Sequence, residues 1–228
     1  MENKTDKVKE NGRKSKMDMA KNYDMVASTT FLPIFPSIAA EVLKISESDH
    51  GKCLDVGCCG GHFGYFVELI SDYNVTFLDI DPEAIEIAKQ RGTDWGLDDR
   101  SSYIISDVHD MSAIPDGSYD LVISRGSIPF WGDGDDFVQA FREIRRVLAP
   151  GGTAVIGGSL GFPRLMDSIT KKMREKNPDW QPPSNREGDC VSGYEARSAM
   201  LSKAGIENYA LTNEKGHWIV INAAKNAK

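Results

Sequence analysis

The 228-residue chain has only four cysteines and four histidines, and the cysteines form no framework. Cys53, Cys58, Cys59 and Cys190 lack regular spacing, and adjacent Cys58 and Cys59 are poorly placed to bridge each other. Reduced thiols in a reducing compartment are expected. No metal is expected either, because the one Cys-x-x-His, Cys59 to His62, lacks a second ligand pair. Positive charge is in deficit, with 27 Lys and Arg against 34 Asp and Glu, a net charge of −7. No bulk field then draws the chain to phosphate backbones, so nucleic acid is excluded as the default substrate. The one basic stretch, Lys4 to Lys16, is interleaved with acids and reads as a solvated, flexible tail over residues 1–18. Runs of about 18 apolar residues are missing, as is a signal-peptide core, so a cytoplasmic protein without a membrane partner is expected.

Two nucleotide signatures are also missing. A dinucleotide fingerprint would need glycine at 57, 59 and 62, where the chain has Gly57, Cys59 and His62. A phosphate-binding P-loop would need Gly-Lys-Ser/Thr, and none follows. These gaps disfavour a nucleotide-dependent oxidoreductase.

What is present is an ordinary globular balance, 40% hydrophobic and 27% charged, which predicts a single folded domain over residues 1–228. Strand and helix signals alternate. Ile34, Ile38, Ala39, Val42 and Leu43 mark a helical face, with Pro33 and Pro36 suited to its first turn. Strands are expected at 53–56, 75–78, 103–106, 119–124, 153–156, 209–211 and 218–221. Between them, helices follow Phe63, begin at Asp81-Pro82-Glu83 and run toward Gly92, and cover Phe137 to Leu148, closed by Pro150-Gly151-Gly152. Two more helices are expected, around Leu165 to Met173 and from Tyr194 to Ala204, where Gly205 fits as the stop. The fold class is α/β, a Rossmann-like three-layer sandwich on a mostly parallel seven-stranded sheet with an antiparallel edge strand. Its ligand site should lie beyond the strand C-termini at a switch point.

The turn Asp55-Val56-Gly57-Cys58-Cys59-Gly60-Gly61 resembles motif I of the class I S-adenosylmethionine-dependent methyltransferases of small-molecule type, in which an acid begins a Gly-x-Gly-x-Gly loop. Asp55, Gly57 and Gly61 match, and Cys59 replaces the middle glycine; its Cβ is tolerable if the backbone there does not need positive φ. Leu78-Asp79-Ile80-Asp81-Pro82, Ser118-Tyr119-Asp120-Leu121-Val122 and Leu148-Ala149-Pro150-Gly151-Gly152 follow in family order, and the resemblance covers roughly residues 20 to 160. It implies S-adenosylmethionine as cofactor. Asp79 then accepts the ribose hydroxyls with Ile80 beside it, Asp107 takes the adenine amino group, and the amide of Val108 meets the ring. Tyr23, in Tyr23-Asp24-Met25-Val26-Ala27, resembles the segment that covers the cofactor, and Ser124 completes the set at the end of strand four.

Methyl transfer from a sulfonium is an in-line displacement that proximity can accelerate without a covalent intermediate, so the lack of a triad is consistent with an enzyme. The acceptor site is expected over Ser124-Arg125-Gly126-Ser127-Ile128-Pro129-Phe130-Trp131, which has no Asn-Pro-Pro-Tyr-like sequence, so DNA adenine and protein glutamine are demoted in favour of a small molecule. His62, Arg125 and Trp131 are the candidate catalytic residues. Arg125 either anchors an anion or pairs with a carboxylate, Phe130 and Trp131 either wall the pocket or pack on the next helix, and His109 either reaches the cleft or caps a turn. Residues 161–190 are an expected acceptor-side lid. The alternatives are a non-catalytic or regulatory S-adenosylmethionine-binding protein and, from Cys58, Cys59 and Cys190, metalloid or thiol chemistry.

Overall fold

The computed structural model describes residues 19–127, 134–158, 163–178, 194–212 and 218–222. The tail at 1–18, the loop residues Ile128 to Trp131, Cys190 and part of the expected lid lie outside them.

Among the described residues seven strands form one sheet: β1 (His50–Val56), β2 (Asp72–Asp79), β3 (Ser101–Ile105), β4 (Tyr119–Arg125), β5 (Leu148–Gly157), β6 (Tyr209–Leu211) and β7 (Trp218–Asn222). Their order is β3-β2-β1-β4-β5-β7-β6. The first five are parallel, and β7 runs antiparallel beside β5 with the short β6 outside it. The helices are α1 (Phe35–Ser46), α2 (His62–Leu69), α3 (Pro82–Trp95), α4 (Asp135–Val147), α5 (Pro163–Lys176) and α6 (Tyr194–Lys203).

The period-two alternation of the strands sorts the apolar residues into two cores, one on each face of the sheet. Cys53, Phe77, Leu121, Ile123 and Val155 pack with Ile38 and Val42 of α1, Tyr65 and Val67 of α2 and Ile85 of α3. Their chain neighbours Leu54, Leu78, Val122, Ala154 and Ile156 pack with Phe137, Phe141 and Ile144 of α4 and Leu201 of α6. Three layers result.

Residues 19–26 are helical and continue through a π turn (Ala27–Phe31) and a 3-10 turn (Leu32–Ile34) into α1. Length and composition alone would let the run Met19–Ser46 cross a membrane, but Ile38, Ala39 and Val42 are fully buried beneath the sheet.

Two expected stops are displaced. Helix α3 passes Gly92 and ends at Trp95, where Gly96 takes a left-handed C-cap with φ 68°. Gly92 serves contact instead, since a Cβ there would meet the hydroxyls of Tyr65 and Tyr103. Likewise Pro150-Gly151-Gly152 does not close α4 as a separate turn. Strand β5 begins at Leu148, directly after α4, and absorbs the three residues through a register shift against Tyr119 and Leu121.

Candidate functional site

Strand order reverses between β1 and β4, so the connections after these strands leave on opposite faces and open a crevice at their C-terminal ends. The β1 loop is folded back onto β2. The amides of Gly57 and Cys58 both donate to the carbonyl of Leu78, at 2.7 and 3.0 Å. One residue on, the two Asp79 carboxylate oxygens divide the work: Oδ2 accepts from the Cys59 amide at 2.9 Å and Oδ1 from the Asp81 amide at 3.0 Å. Asp81 then caps α3 by accepting from the Glu83 amide at 3.0 Å.

This arrangement corrects the expectation for Cys59. Its φ is 47°, so the position keeps the left-handed backbone that glycine favours, and the side chain is tolerated despite a strain of about 1 kcal/mol. Gly57 (φ 66°) is constrained more tightly, because a Cβ there would enter Ser127. Gly61 serves packing, as its missing side chain leaves room for the rings of Tyr65 and Phe77 at the start of α2.

A cavity of about 270 Å³ opens over this loop, walled by Val56, Gly57, Leu78, Asp79, Ile80, Ser106, Asp107, Val108, His109 and Ser127. Burial pushes the Asp79 carboxyl above its usual range, against the pull of the Asp81, Cys59 and Ile80 amides. For Asp107, burial also raises the pKa, but the amide, ring and charge of His109 outweigh it and the net shift is downward. The His109 Nδ1 lies 2.7 Å from Asp107 Oδ1. Ile80 is exposed at the rim, while Val108 is buried in the wall. Thus Gly57, Asp79, Ile80, Asp107 and Val108, spread over 52 positions of sequence, line one space.

Beyond Gly57 lies a much narrower space of about 20 Å³, bounded by Tyr23, Ala27, Phe35, Asp55, Gly57, Cys58, His62, Phe63 and Arg125. Asp55 is buried, and burial lifts its pKa to about 7 against the hydrogen bond from the Gly64 amide at 3.0 Å. Arg125 is also buried. Its guanidinium carbon lies 4.8 and 5.1 Å from the ring centres of Phe31 and Phe35, and its side chain hydrogen-bonds Tyr23. Aromatic faces enclose this cation rather than leaving it open to solvent. Ser124 is set back in β4, fully buried and lining none of these spaces, and Ser127 stands at the cavity wall instead. Trp131 lies outside the described residues.

Sequence reasoning missed a polar cluster on the far side of His62. Arg91 of α3 donates to the Gly60 carbonyl, to Asp24 at 3.0 Å and to Ser28 Oγ at 3.3 Å. Ser28 Oγ lies 3.0 Å from His62 Nε2, and the His62 ring stacks on Phe35 at 5.4 Å. The cluster walls an outer cavity of about 460 Å³ with Gln90, Asp94 and Trp95. The available signal was a lone arginine one turn before the end of α3, which gives no partner by itself.

Burial, then the charge of Arg91, lowers the His62 pKa to about 4 against the opposing pull of Asp24. Its ordinary value is about 6.5, so between pH 6.5 and 4 the unfolded chain takes up a proton that the folded chain refuses. Stability from this group is therefore complete above pH 6.5 and is lost as pH falls toward 4. Asp55 and Glu68, both raised to about 7 by burial, act oppositely and stabilise the fold as pH falls from 7 toward 4. We expect His62→Gln to gain on the wild type by about 3 kcal/mol between pH 6.5 and 4, read from urea midpoints. Parallel pH profiles for the two proteins would refute the assignment.

The thiols of Cys58 and Cys59 are held in their protonated form, and Cys190 lies outside the described residues. Burial raises Cys58 well above its ordinary value and pushes Cys59 up to about 12, so both stay protonated near neutrality. Among the described residues no three His, Cys, Asp or Glu side chains converge as a metal site would require.

Comparison with known proteins bears on the family and the fold. A family described as a methyltransferase domain matches residues 54–156, from β1 to β5. The chain is 36% identical over 117 residues to ajmaline N-methyltransferase of Rauvolfia serpentina, covering 51% of this chain and 39% of that protein. It is 31% identical over 178 residues to methyltransferase GfsG of Streptomyces halstedii, covering 75% and 58%. The chain thus spans less than two thirds of the length of these curated relatives. A solved structure from Methanococcus maripaludis, provisionally described as an S-adenosyl-L-methionine-dependent methyltransferase, superposes with a TM-score of 0.77 at 35% identity, covering 93% of this chain and 94% of that one.

Proposed function

The chain belongs to the class I S-adenosylmethionine-dependent methyltransferases, and from that premise we propose that it moves the methyl group of S-adenosylmethionine onto a small-molecule acceptor by in-line displacement. The observation that carries this reading is the cavity over β1, β2 and β3 with Asp79 and Asp107 on its walls.

The residues fit the cofactor. Each Asp79 oxygen already accepts one amide and keeps further lone pairs toward the cavity, which suits a pair of ribose hydroxyls. Asp107 and the exposed Ile80 supply an acceptor and an apolar rim for a purine, and Gly57 leaves a cradle that a Cβ would fill. When bound, S-adenosylmethionine supplies an electrophilic methyl group on its sulfonium. The chain's own part is to hold the nucleoside end by Asp79, Asp107 and Val108, and to exclude water with Tyr23, Ala27 and Phe35 over the narrower space. Orientation is the main source of acceleration in such a site, and no protein nucleophile is needed.

A small acceptor is supported by the relatives' names, one of them an ajmaline N-methyltransferase, and by the net charge of −7, which disfavours nucleic acid. Calorimetry with S-adenosylmethionine, S-adenosylhomocysteine and NAD tests the cofactor. Binding of both sulfur ligands and none of NAD is expected, whereas tight NAD binding with no response to the others would overturn the reading. Formation of S-adenosylhomocysteine with a panel of amines, phenols and carboxylic acids then separates an enzyme from a cofactor-binding protein without catalysis.

A further inference from the structure

The helical segment at residues 19–34 crosses the narrow space beside Asp55 and Gly57, where Tyr23 hydrogen-bonds Arg125 and Phe31 lies against the same guanidinium. Three further ties reach it from outside that space. Lys21 pairs with Glu83 of α3 at 2.7 Å, the Cys59 thiol lies 3.7 Å from the carbonyl of Ala20, and Asp24 pairs with Arg91 at 3.0 Å. The first reaches a largely exposed Lys21 and the second is a weak thiol contact, so each contributes little. The Arg91 tie differs in kind. Its side chain and that of Asp24 are both largely buried, and the same guanidinium also donates to the Gly60 carbonyl in the β1 loop and to Ser28 one turn further along the segment. Its guanidinium carbon lies over the Trp95 ring, 5.8 Å from the centroid, a cation–π contact that adds to the hold on the side chain. Gly60 must be glycine for this to form, because a Cβ would enter both Asp24 and Arg91. From the other side Ser28 engages His62, which is neutral near pH 7 and so adds no second positive charge to the cluster.

We propose that Arg91 is a positioning residue that clamps the 19–34 segment to the cofactor loop, so that closure of the segment and the shape of the Gly57 to Gly61 turn are coupled through one side chain. Arg91 lines only the outer cavity and does not reach the cofactor cavity, so its effect on binding is transmitted through Gly60 and Asp24. Three acceptors on two chain segments demand a planar fork. A lysine at this position keeps the charge but satisfies one acceptor at a time.

The inference rests on the cofactor reading above, and its test separates the two. Wild-type binding of S-adenosylhomocysteine tests the cofactor reading alone. Amide hydrogen exchange of the unliganded protein tests the clamp alone, comparing wild type, Arg91→Gln, Arg91→Lys, Asp24→Asn and the double variant Asp24→Asn with Arg91→Gln. Arg91→Gln should lose protection in residues 19–31 and keep it in β1, β4 and α4. It should also bind S-adenosylhomocysteine about tenfold more weakly or worse, the scale of charge-assisted hydrogen bonds lost together. Arg91→Lys should restore the affinity only in part, and the double variant should bind no more weakly than Arg91→Gln. Unchanged protection at 19–31 in folded Arg91→Gln would overturn the proposal, as would protection lost evenly through the sheet, or losses that add in the double variant.

Discussion

Asp79→Ala should weaken binding of S-adenosylhomocysteine by more than about tenfold while leaving a folded protein, and of the single polar substitutions at this site it should cost the most. Two losses combine. The direct one is the carboxylate's own hydrogen bonds to a ribose, at about 1.5 to 3 kcal/mol for bonds to a charged group. The indirect one arises because Asp79 accepts from the Cys59 amide and the Asp81 amide, so its removal also releases the turn that shapes the cavity floor and the entry to α3. Asp79→Asn sharpens the test. The two oxygens each hold one amide, so an amide side chain must turn its NH2 toward one of them and set donor against donor. The conservative variant should therefore bind nearly as poorly as Asp79→Ala. Calorimetry on both, with thermal unfolding as the check on folding, decides the matter. Unchanged affinity in folded Asp79→Ala would remove Asp79 from the site.

Why Asp79 was legible in the sequence and Arg91 was not follows from the range of the forces involved. The elements that carry Asp55, Asp79 and Asp107 are set locally, by the apolar patterns of β1, β2 and β3 and by caps such as Asp81 with Pro82. Parallel order then brings the strand ends together whatever the side chains do, so residues at those ends were locatable from pattern alone. Arg91, Ser28 and Gly60 meet only through packing of three segments, and no periodicity announces that meeting. The same limit explains Gly92. A glycine near a helix end reads as a stop, but here it makes room for the Tyr65 and Tyr103 hydroxyls, which bond each other at 2.7 Å. Cys59 shows the converse. A cysteine argued against a left-handed backbone, yet the bonds on either side of it, from Cys58 to Leu78 and from its own amide to Asp79, hold φ at 47°.

Gly57 should be the least replaceable residue of the turn. Gly57→Ala places a methyl group on a backbone at φ 66°, at a cost of about 1 to 2 kcal/mol. That methyl would enter Ser127, whose Cβ would lie only 2.5 Å away, and overpacking of this kind costs about 1 to 3 kcal/mol more. The expected loss of stability is thus about 2 to 5 kcal/mol by urea unfolding. Binding should suffer separately, because Gly57 lines both the main cavity and the narrow space beside Asp55, and a group added there stands between them. Pairing the change with Ser127→Gly divides the two costs. Removing the serine side chain relieves the collision but not the backbone strain, so the double variant should recover part of the stability. If cofactor affinity returned with it, the collision alone would have been responsible. If affinity stayed low, the added methyl itself obstructs the site, which is the result we expect from a glycine bordering both spaces.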